Sequence, residues 1–254
     1  MIVTDPWFYV AAVPAVLIYG IGKGGLGGAL GIVAVPLMAL TIPPVQAAAI
    51  MMPILCVMDF FAVREHFHHA DRRQLKLMLP GSIIGVTLAG LLMGYASENV
   101  LKLLIGSLSL LFCLQYLLNR ESKPTRSSGW RGFGRAGFWS LLCGFSSTTI
   151  HAGGGPASIY LLPLRLEKVT LIATMAVLFG LINLAKLIPF TVLGKFDTTN
   201  MLTALVLIPL APIGVKLGIW LLHRVSQIWV YRLCYVFLFL SGVKLFADGM
   251  ISGL

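Results

Sequence analysis

Charge is the first scarcity. Asp and Glu together number 9 among 254 residues, and all charged residues make up only 11%, against about 25% in a soluble domain. So little charge cannot cover a water-facing surface, which excludes a soluble globular fold. Cysteine is sparse too: Cys56, Cys113, Cys143 and Cys234 lie inside apolar runs with no CxxC or CxxH spacing. They read as packing residues, with no disulfide framework and no zinc site implied. The first apolar run, MIVTDPWFYVAAVPAV, carries Asp5 and no basic residue before it. A signal peptide has a basic n-region, so the N-terminus is expected to be retained. What is abundant is hydrocarbon: 58% of residues are hydrophobic, with mean hydropathy +0.91. At about 20 residues per crossing of roughly 30 Å, the chain has room for about eight crossings and no soluble catalytic domain. The expected class is an all-α polytopic membrane protein.

Apolar segments run at about 7 to 21, 29 to 42, 44 to 63, 75 to 95, 99 to 119, 136 to 150, 156 to 164, 167 to 194, 199 to 222 and 229 to 250. Six have the length of ordinary spans. The other four form two interrupted pairs, 7 to 42 and 136 to 164, each broken by a glycine run. As continuous helices the pairs would measure about 54 and 43 Å at 1.5 Å per residue, too long for one crossing without strong tilt or bending. Residues 120–135, RESKPTRSSGWRGFGR, form a polar, basic linker dividing the chain into 1–119 and 136–254. At an offset of 127, Gly27, Gly28, Val35, Pro36 and Leu37 face Gly154, Gly155, Leu162, Pro163 and Leu164. At 129, GVTLAG from Gly85 faces GVKLGI from Gly214. Weak but ordered matches of this kind imply two homologous transmembrane repeats.

Loop charges bear on orientation. If each interrupted pair crosses once, the loop cations divide ten against five. If each pair dips in and returns, only Lys102 and Lys195 oppose the other thirteen. The second arrangement obeys the positive-inside rule better. It leaves three spanning helices plus one re-entrant pair per half, an odd number of crossings, so the halves would be inverted repeats and linker 120–135 would face the cytoplasm. Kinked single spans, giving eight crossings in parallel halves, are the other arrangement. The net charge of +10 falls mainly in these loops, so it speaks for orientation and for no nucleic-acid partner.

Seven glycines, Gly20, Gly22, Gly24, Gly25, Gly27, Gly28 and Gly31, crowd the twelve residues GIGKGGLGGALG of the first break. Each costs roughly 1 kcal/mol against Ala in a helix interior, so unwound backbone is expected there. At membrane depth such backbone persists only against protein or a polar cavity. Close helix packing through small residues is the rival reading. Lys23 favours binding, because an ionisable group inside the membrane costs about 2.5–3.5 kcal/mol on insertion scales and is a functional candidate by default. The second break, CGFSSTTIHAGGGPASIYLLPL, sets Ser147 and Thr148 before His151, then Gly153, Gly154 and Gly155. Pro156 suits the first turn of a new helix.

Two half-helix N-termini at roughly +0.5 each, with Lys23, would offer about +2 to a compact oxyanion. The candidate substrate-binding residues are therefore Gly22, Lys23, Gly24, Gly25, Gly27, Gly28, Ser147, Thr148, His151, Gly153, Gly154, Gly155 and Asn183. His151 reads either as a donor to the anion or proton carrier, or as a neutral ring bonded to a carbonyl. The hydroxyls compete for their own backbone.

Asp59 and Lys186 occupy comparable positions of the two halves, again at offset 127. They are candidates for coupling or gating, through an Asp59–Lys186 ion pair or through a proton carried by Asp59. The alternative is that both snorkel to water. Asn183 and Lys186, three apart, share a helix face. Lys216 and Lys244 read as interfacial. The loop REHFHHADRR holds His66, His68 and His69, yet without fixed ligand spacing it reads as a solvated basic loop and no metal is assigned.

These features resemble the TauE/SafE family of sulfite and organosulfonate exporters along essentially the whole chain. The resemblance rests on GKGGLGGALGIVAVPL and its counterpart HAGGGPASIYLLPL, on PILCVMDFFAV followed by DRRQLKLMLPGSIIGVTLAG, and on NLAKLIPFTVLGKFD. It implies a multi-pass carrier of the bacterial inner membrane that moves small sulfur-containing anions, with Lys23, His151, Asn183 and Lys186 among the residues to carry over. The expected partners are a small anion and the lipid bilayer, with proton coupling and a homo-oligomer left open, and no cofactor. An inside-negative potential favours anion efflux by about 2.3 kcal/mol per charge per 100 mV, so export is the expected direction. A cation or metal permease is the alternative, though it predicts several deep carboxylates and only Asp59 is found. An intramembrane hydrolase using Ser147 and His151 is disfavoured: no GxSG motif follows, and the chain is not expected to be an enzyme.

Overall fold

The computed structural model of the protein describes residues 2–25, 29–118, 130–221 and 227–251, and among these it is helical with no strand. The order is α1 (Pro6–Gly25), a 3-10 segment (Ala29–Val33), α2 (Ala34–Met38), α3 (Pro44–His66), α4 (Arg72–Tyr95), α5 (Glu98–Leu118), α6 (Trp130–Ile150), α7 (Gly154–Leu161), α8 (Lys168–Val192), α9 (Thr198–Leu207), α10 (Leu210–Leu221) and α11 (Gln227–Ile251).

Local chemistry sets several of these ends. Pro44 opens α3 at a position whose amide would have no helical partner. The Asp71 carboxylate caps α4 by accepting from the amides of Arg73 at 2.8 Å and Gln74 at 3.2 Å, and Asp197 does the same for α9 through Asn200. α8 closes in a Schellman turn: Gly194 takes φ +61°, its amide reaches the Thr191 carbonyl, and the Lys195 amide reaches Phe190.

Among the described residues four helices are long and apolar enough to cross a membrane, within Pro6–Gly24, Pro44–Arg64, Arg72–Tyr95 and Val169–Val192. A fifth span is made if Thr198–Leu207 and Leu210–Gly218 count together. That pair corrects the sequence expectation of one ordinary span over 199 to 222, because it is bent by 45°. Pro209 and Pro212 remove two amides from consecutive turns and crowd the carbonyls before them. Outward faces are apolar, as on α8, where Leu181, Leu184, Ile188 and Val192 are exposed at helical spacing. That is the surface a lipid-facing helix presents.

Interior packing falls into two clusters. One gathers α1, α2, α3 and parts of α5 and α9–α11 around Phe8, Met38, Ile54, Leu55 and Met58. The other joins α4, α6, α7 and α8 around Met78, Cys143, Leu178 and Phe179. The closest neighbours are α1 with α10, α4 with α6, α3 with α8, and α5 with α11.

Small residues permit two of these approaches. A Cβ on Gly20 would stand 2.8 Å from the Gly214 Cα, and one on Gly24 would stand 2.1 Å from the Val215 carbonyl oxygen. Across the α4–α6 contact, a Cβ on Gly85 would lie 2.1 Å from the Leu141 oxygen and one on Gly144 2.0 Å from that of Ser82. This corrects the expectation that the backbone unwinds from Gly20. α1 stays helical through Gly25, and Gly20 and Gly24 serve close packing, the reading set aside above. Gly27 and Gly28 lie outside the described residues.

Candidate functional site

Among the described residues, acidic and basic side chains are rare in this interior, so where they meet is informative. α1 carries Lys23 in its last turn, where the negative end of the helix dipole favours a cation. Four residues earlier, Tyr19 lies on the same face, and the Lys23 ammonium sits 5.7 Å from its ring centroid. α3 contributes Asp59 from mid-helix, α8 contributes Asn183 and Lys186, and α6 ends beside them with Ser147 and His151. Lys23, Asp59, Ser147, His151, Asn183 and Lys186 are all buried.

These groups form two adjoining clusters. In the first, Asp59 is claimed from both sides: Lys23 Nζ donates to Oδ1 and Asn183 Nδ2 donates to Oδ2. In the second, Lys186 Nζ donates to the Ser147 carbonyl oxygen at 2.8 Å and to its Oγ at 3.2 Å, and it meets His151 Nδ1 at 2.7 Å. His151 Nε2 lies 3.0 Å from the Ala48 carbonyl oxygen on α3. A carbonyl can only accept, so Nε2 carries a proton, and Nδ1 facing an ammonium must accept. Only one proton fits between Nζ and Nδ1, so the Lys186–His151 pair carries at most a single positive charge.

The expected Asp59–Lys186 ion pair is not formed. Asp59 is held by α1 and by Asn183, whereas Lys186, three residues on along the same face of α8, turns to α6. Nor does either side chain snorkel: Lys186 is 0% and Asp59 6% exposed, while Lys216 and Lys244 are exposed.

His151 occupies a turn that the sequence signals only through its glycines. Its φ of 53° is left-handed, a region in which histidine is enriched among non-glycine residues. The Ala152 amide returns to the Ser146 carbonyl at 3.1 Å, while the Ser146 hydroxyl donates to the Leu142 carbonyl one turn back at 2.7 Å. Tyr19 links the two clusters, its hydroxyl donating to the His151 carbonyl at 3.1 Å while its ring faces Lys23. Phe190, one turn beyond Lys186, stacks on the imidazole at 6.4 Å and 16°. Sequence reasoning missed Tyr19, Phe190 and the Ala48 carbonyl. The i, i+4 spacings from Tyr19 to Lys23 and from Lys186 to Phe190 were the available signals.

Other candidates are placed differently. Thr148 Oγ1 donates to the Gly144 carbonyl at 2.8 Å, so its proton is used by its own helix and is not offered to a ligand. Gly22 is buried within α1, and Gly25 is that helix's last residue. Gly153 precedes α7, where a Cβ would meet Phe179 at 2.8 Å and the Cys143 oxygen at 2.9 Å. Gly154 and Gly155 form the first turn of α7, two residues ahead of the start expected at Pro156.

Of the two half-helix N-termini expected, the second is that of α7 at Gly154. α2 has five residues and continues from the 3-10 segment through Val33 in helical conformation, and that segment starts beside residues 26–28, which lie outside the described residues. Among the described residues, the full positive charges of the site belong to side chains.

Two cavities reach Asp59. One of about 20 Å³ is lined by Lys23, Asp59, Ala62, Met175 and Phe179, room for about one water. The other, of about 320 Å³, lies between α3 and α8, with Cys56, Asp59 and Asn183 beside Phe60, Val63 and Leu184. Lys186 lines neither of them. Its three donors all point at protein acceptors, and it is occluded in this conformation.

Among the described residues no three His, Cys, Asp or Glu side chains gather as a metal site, and His68 and His69 are exposed. No curated protein and no solved structure matches the chain. A family model does match, described as sulfite exporter TauE/SafE and spanning residues 12–245. With apolar helices fit to cross a bilayer and a match over nearly its whole length, the chain is a multi-pass membrane transport protein and belongs to the TauE/SafE sulfite exporter family.

Proposed function

We propose that this protein is a secondary transporter that exports small sulfur-containing anions, such as sulfite or organosulfonates, by alternating access, with the anion held by Lys186, His151 and Ser147. One observation carries the reading: a fully buried ammonium has no carboxylate partner, and its contacts are a carbonyl, a hydroxyl and a neutral imidazole. A buried charge without a counter-charge is costly, and a bound anion supplies that counter-charge.

Two features support two related halves as the framework, and the loop charges favour the inverted arrangement of them. Exchanging the halves turns the α1–α10 contact into α6–α4 and returns α3–α8 and α5–α11 to themselves, the pattern of a two-fold relation. In addition, the site draws α1 and α3 from one half and α6 and α8 from the other. The protein works in the bacterial inner membrane with linker 120–135 on the cytoplasmic side, an orientation motivated by the basic loops. Residues 1–119 and 136–254 act as the two moving units.

The test is efflux from proteoliposomes loaded with radiolabelled sulfite or methanesulfonate. Saturable, potential-driven efflux that is lost in Lys186→Met is the expected outcome. Movement of a divalent metal ion with no flux of any sulfur oxyanion would overturn the reading in favour of a cation permease.

A further inference from the structure

The interior charges of the described residues can be counted group by group. From α1 comes Lys23, from α3 Asp59, from α8 Lys186, and from the turn after α6 His151. Tyr19, Cys56 and Cys143, which lie close by, are uncharged at neutral pH in their ordinary state. Lys23 and Asp59 cancel in direct contact, and Asn183 occupies the second carboxylate oxygen. Only one proton fits between Lys186 Nζ and His151 Nδ1, and the ring's far nitrogen donates to the Ala48 carbonyl, so this pair adds at most one positive charge. Among these side chains the interior is left with at most one net positive charge.

We infer that the site admits monovalent oxyanions and discriminates against divalent ones, and that Asp59 sets this limit by neutralising Lys23. This rests on the anion-transport reading above and narrows it. A monoanion on Lys186, hydrogensulfite in the case of sulfite, closes the charge balance of a low-dielectric interior, whereas a dianion leaves one negative charge unpaired there. It would also lie near Asp59, whose like charge adds repulsion. Asp59 is thus a specificity-determining residue that acts through a cation, with no contact to the ligand of its own. Removing its charge frees the Lys23 ammonium and raises the interior to two positive charges, which suits a dianion.

Methanesulfonate and sulfate are the probes, since both are tetrahedral and they differ by a methyl group in place of one charged oxygen. Flux is measured in proteoliposomes at neutral pH, and the same pair is compared as ligand-dependent thermal stabilisation of purified protein, which reads binding without transport. The wild type is expected to favour methanesulfonate by about tenfold or more, and Asp59→Asn to move the ratio toward sulfate by a similar factor. The double variant Lys23→Met/Asp59→Leu removes the pair together, leaves the interior at one positive charge, and is expected to keep the wild-type ratio whatever its absolute rate.

A wild type that takes sulfate as readily as methanesulfonate overturns the charge limit while leaving anion transport standing. An Asp59→Asn variant with an unchanged ratio, or a double variant shifted as far as Asp59→Asn, overturns the role of Asp59. A wild type that neither moves nor is stabilised by any sulfur oxyanion overturns the transport reading, and this inference with it.

Discussion

Lys23 with Asp59 and His151 with Lys186 sit at comparable places in the two halves. Lys23 lies in the last turn of α1 and His151 follows α6, while Asp59 and Lys186 lie at offset 127 on α3 and α8, which pack together. In the first half the pairing is acid with base and closes on itself. In the second, the position that could hold an acid holds a second base, and a charge is left over. Similar scaffolding thus yields one locked pair and one open one, and the decisive difference is Lys186 standing where the first half has Asp59. A buried ion pair is fragile to loss of either partner, whereas a lone buried charge is a standing cost that a ligand relieves.

The contrast breaks most visibly under two matched substitutions. Lys186→Met is expected to lower anion flux about a hundredfold, as loss of charge-assisted hydrogen bonds implies. Lys23→Met is expected to destabilise the protein by about 3–5 kcal/mol, because Asp59 keeps its burial and loses its counter-charge. Thermal unfolding of both purified variants checks this: Lys23→Met should melt well below Lys186→Met. Equal melting temperatures would mean that the two clusters do not differ in kind.

Packing between the halves offers a smaller effect. Gly85→Ala places a methyl 2.1 Å from the Leu141 oxygen and 2.7 Å from the Phe145 amide nitrogen, so α4 and α6 must separate. Gly137 lies on the same helix pair with nothing within 4 Å of its would-be Cβ. The first substitution is expected to cost about 1–3 kcal/mol. The second should be neutral or stabilising by up to about 1 kcal/mol, as alanine is the better helix former. A melting comparison in one detergent decides it, and equal shifts would remove the close-packing account of the α4–α6 contact.

Much of the helix order was legible because apolar length and breakers are local properties. The expected segment 44 to 63 became Pro44–His66, and 167 to 194 became Lys168–Val192. What was not legible depends on partners far along the chain. Gly20 and Gly24 read as unwinding signals, yet the glycine that Gly20 approaches is Gly214 on α10, and nothing near residue 20 announces that neighbour. The bend at Ile208 was written in Pro209 and Pro212 but hidden by an unbroken apolar run. For the site, burial of Asp59, Lys186 and His151 followed from their apolar surroundings, but their pairing did not. Spacing places Asn183 and Lys186 on one face without saying that α1 fills the space beside Asp59 and α6 the space beside Lys186.

The smallest effect inverts in sign between the two clusters. Lys23 is helical, so at that position glycine is expected to be less stable than alanine, by up to about 1 kcal/mol. His151 holds φ at 53°, where an alanine Cβ crowds the following carbonyl and glycine does not, so there glycine is expected to be the more stable, by roughly 1 kcal/mol. His151→Gly and His151→Ala both remove the acceptor facing Lys186 and should lose anion flux alike, since that loss belongs to the imidazole and not to the backbone. Melting curves of the four variants, with flux for the His151 pair, separate the two contributions. If alanine is the more stable replacement at both positions, the left-handed turn is not a fixed feature of the second cluster. Lys186 would then have to be positioned by Ser147 alone.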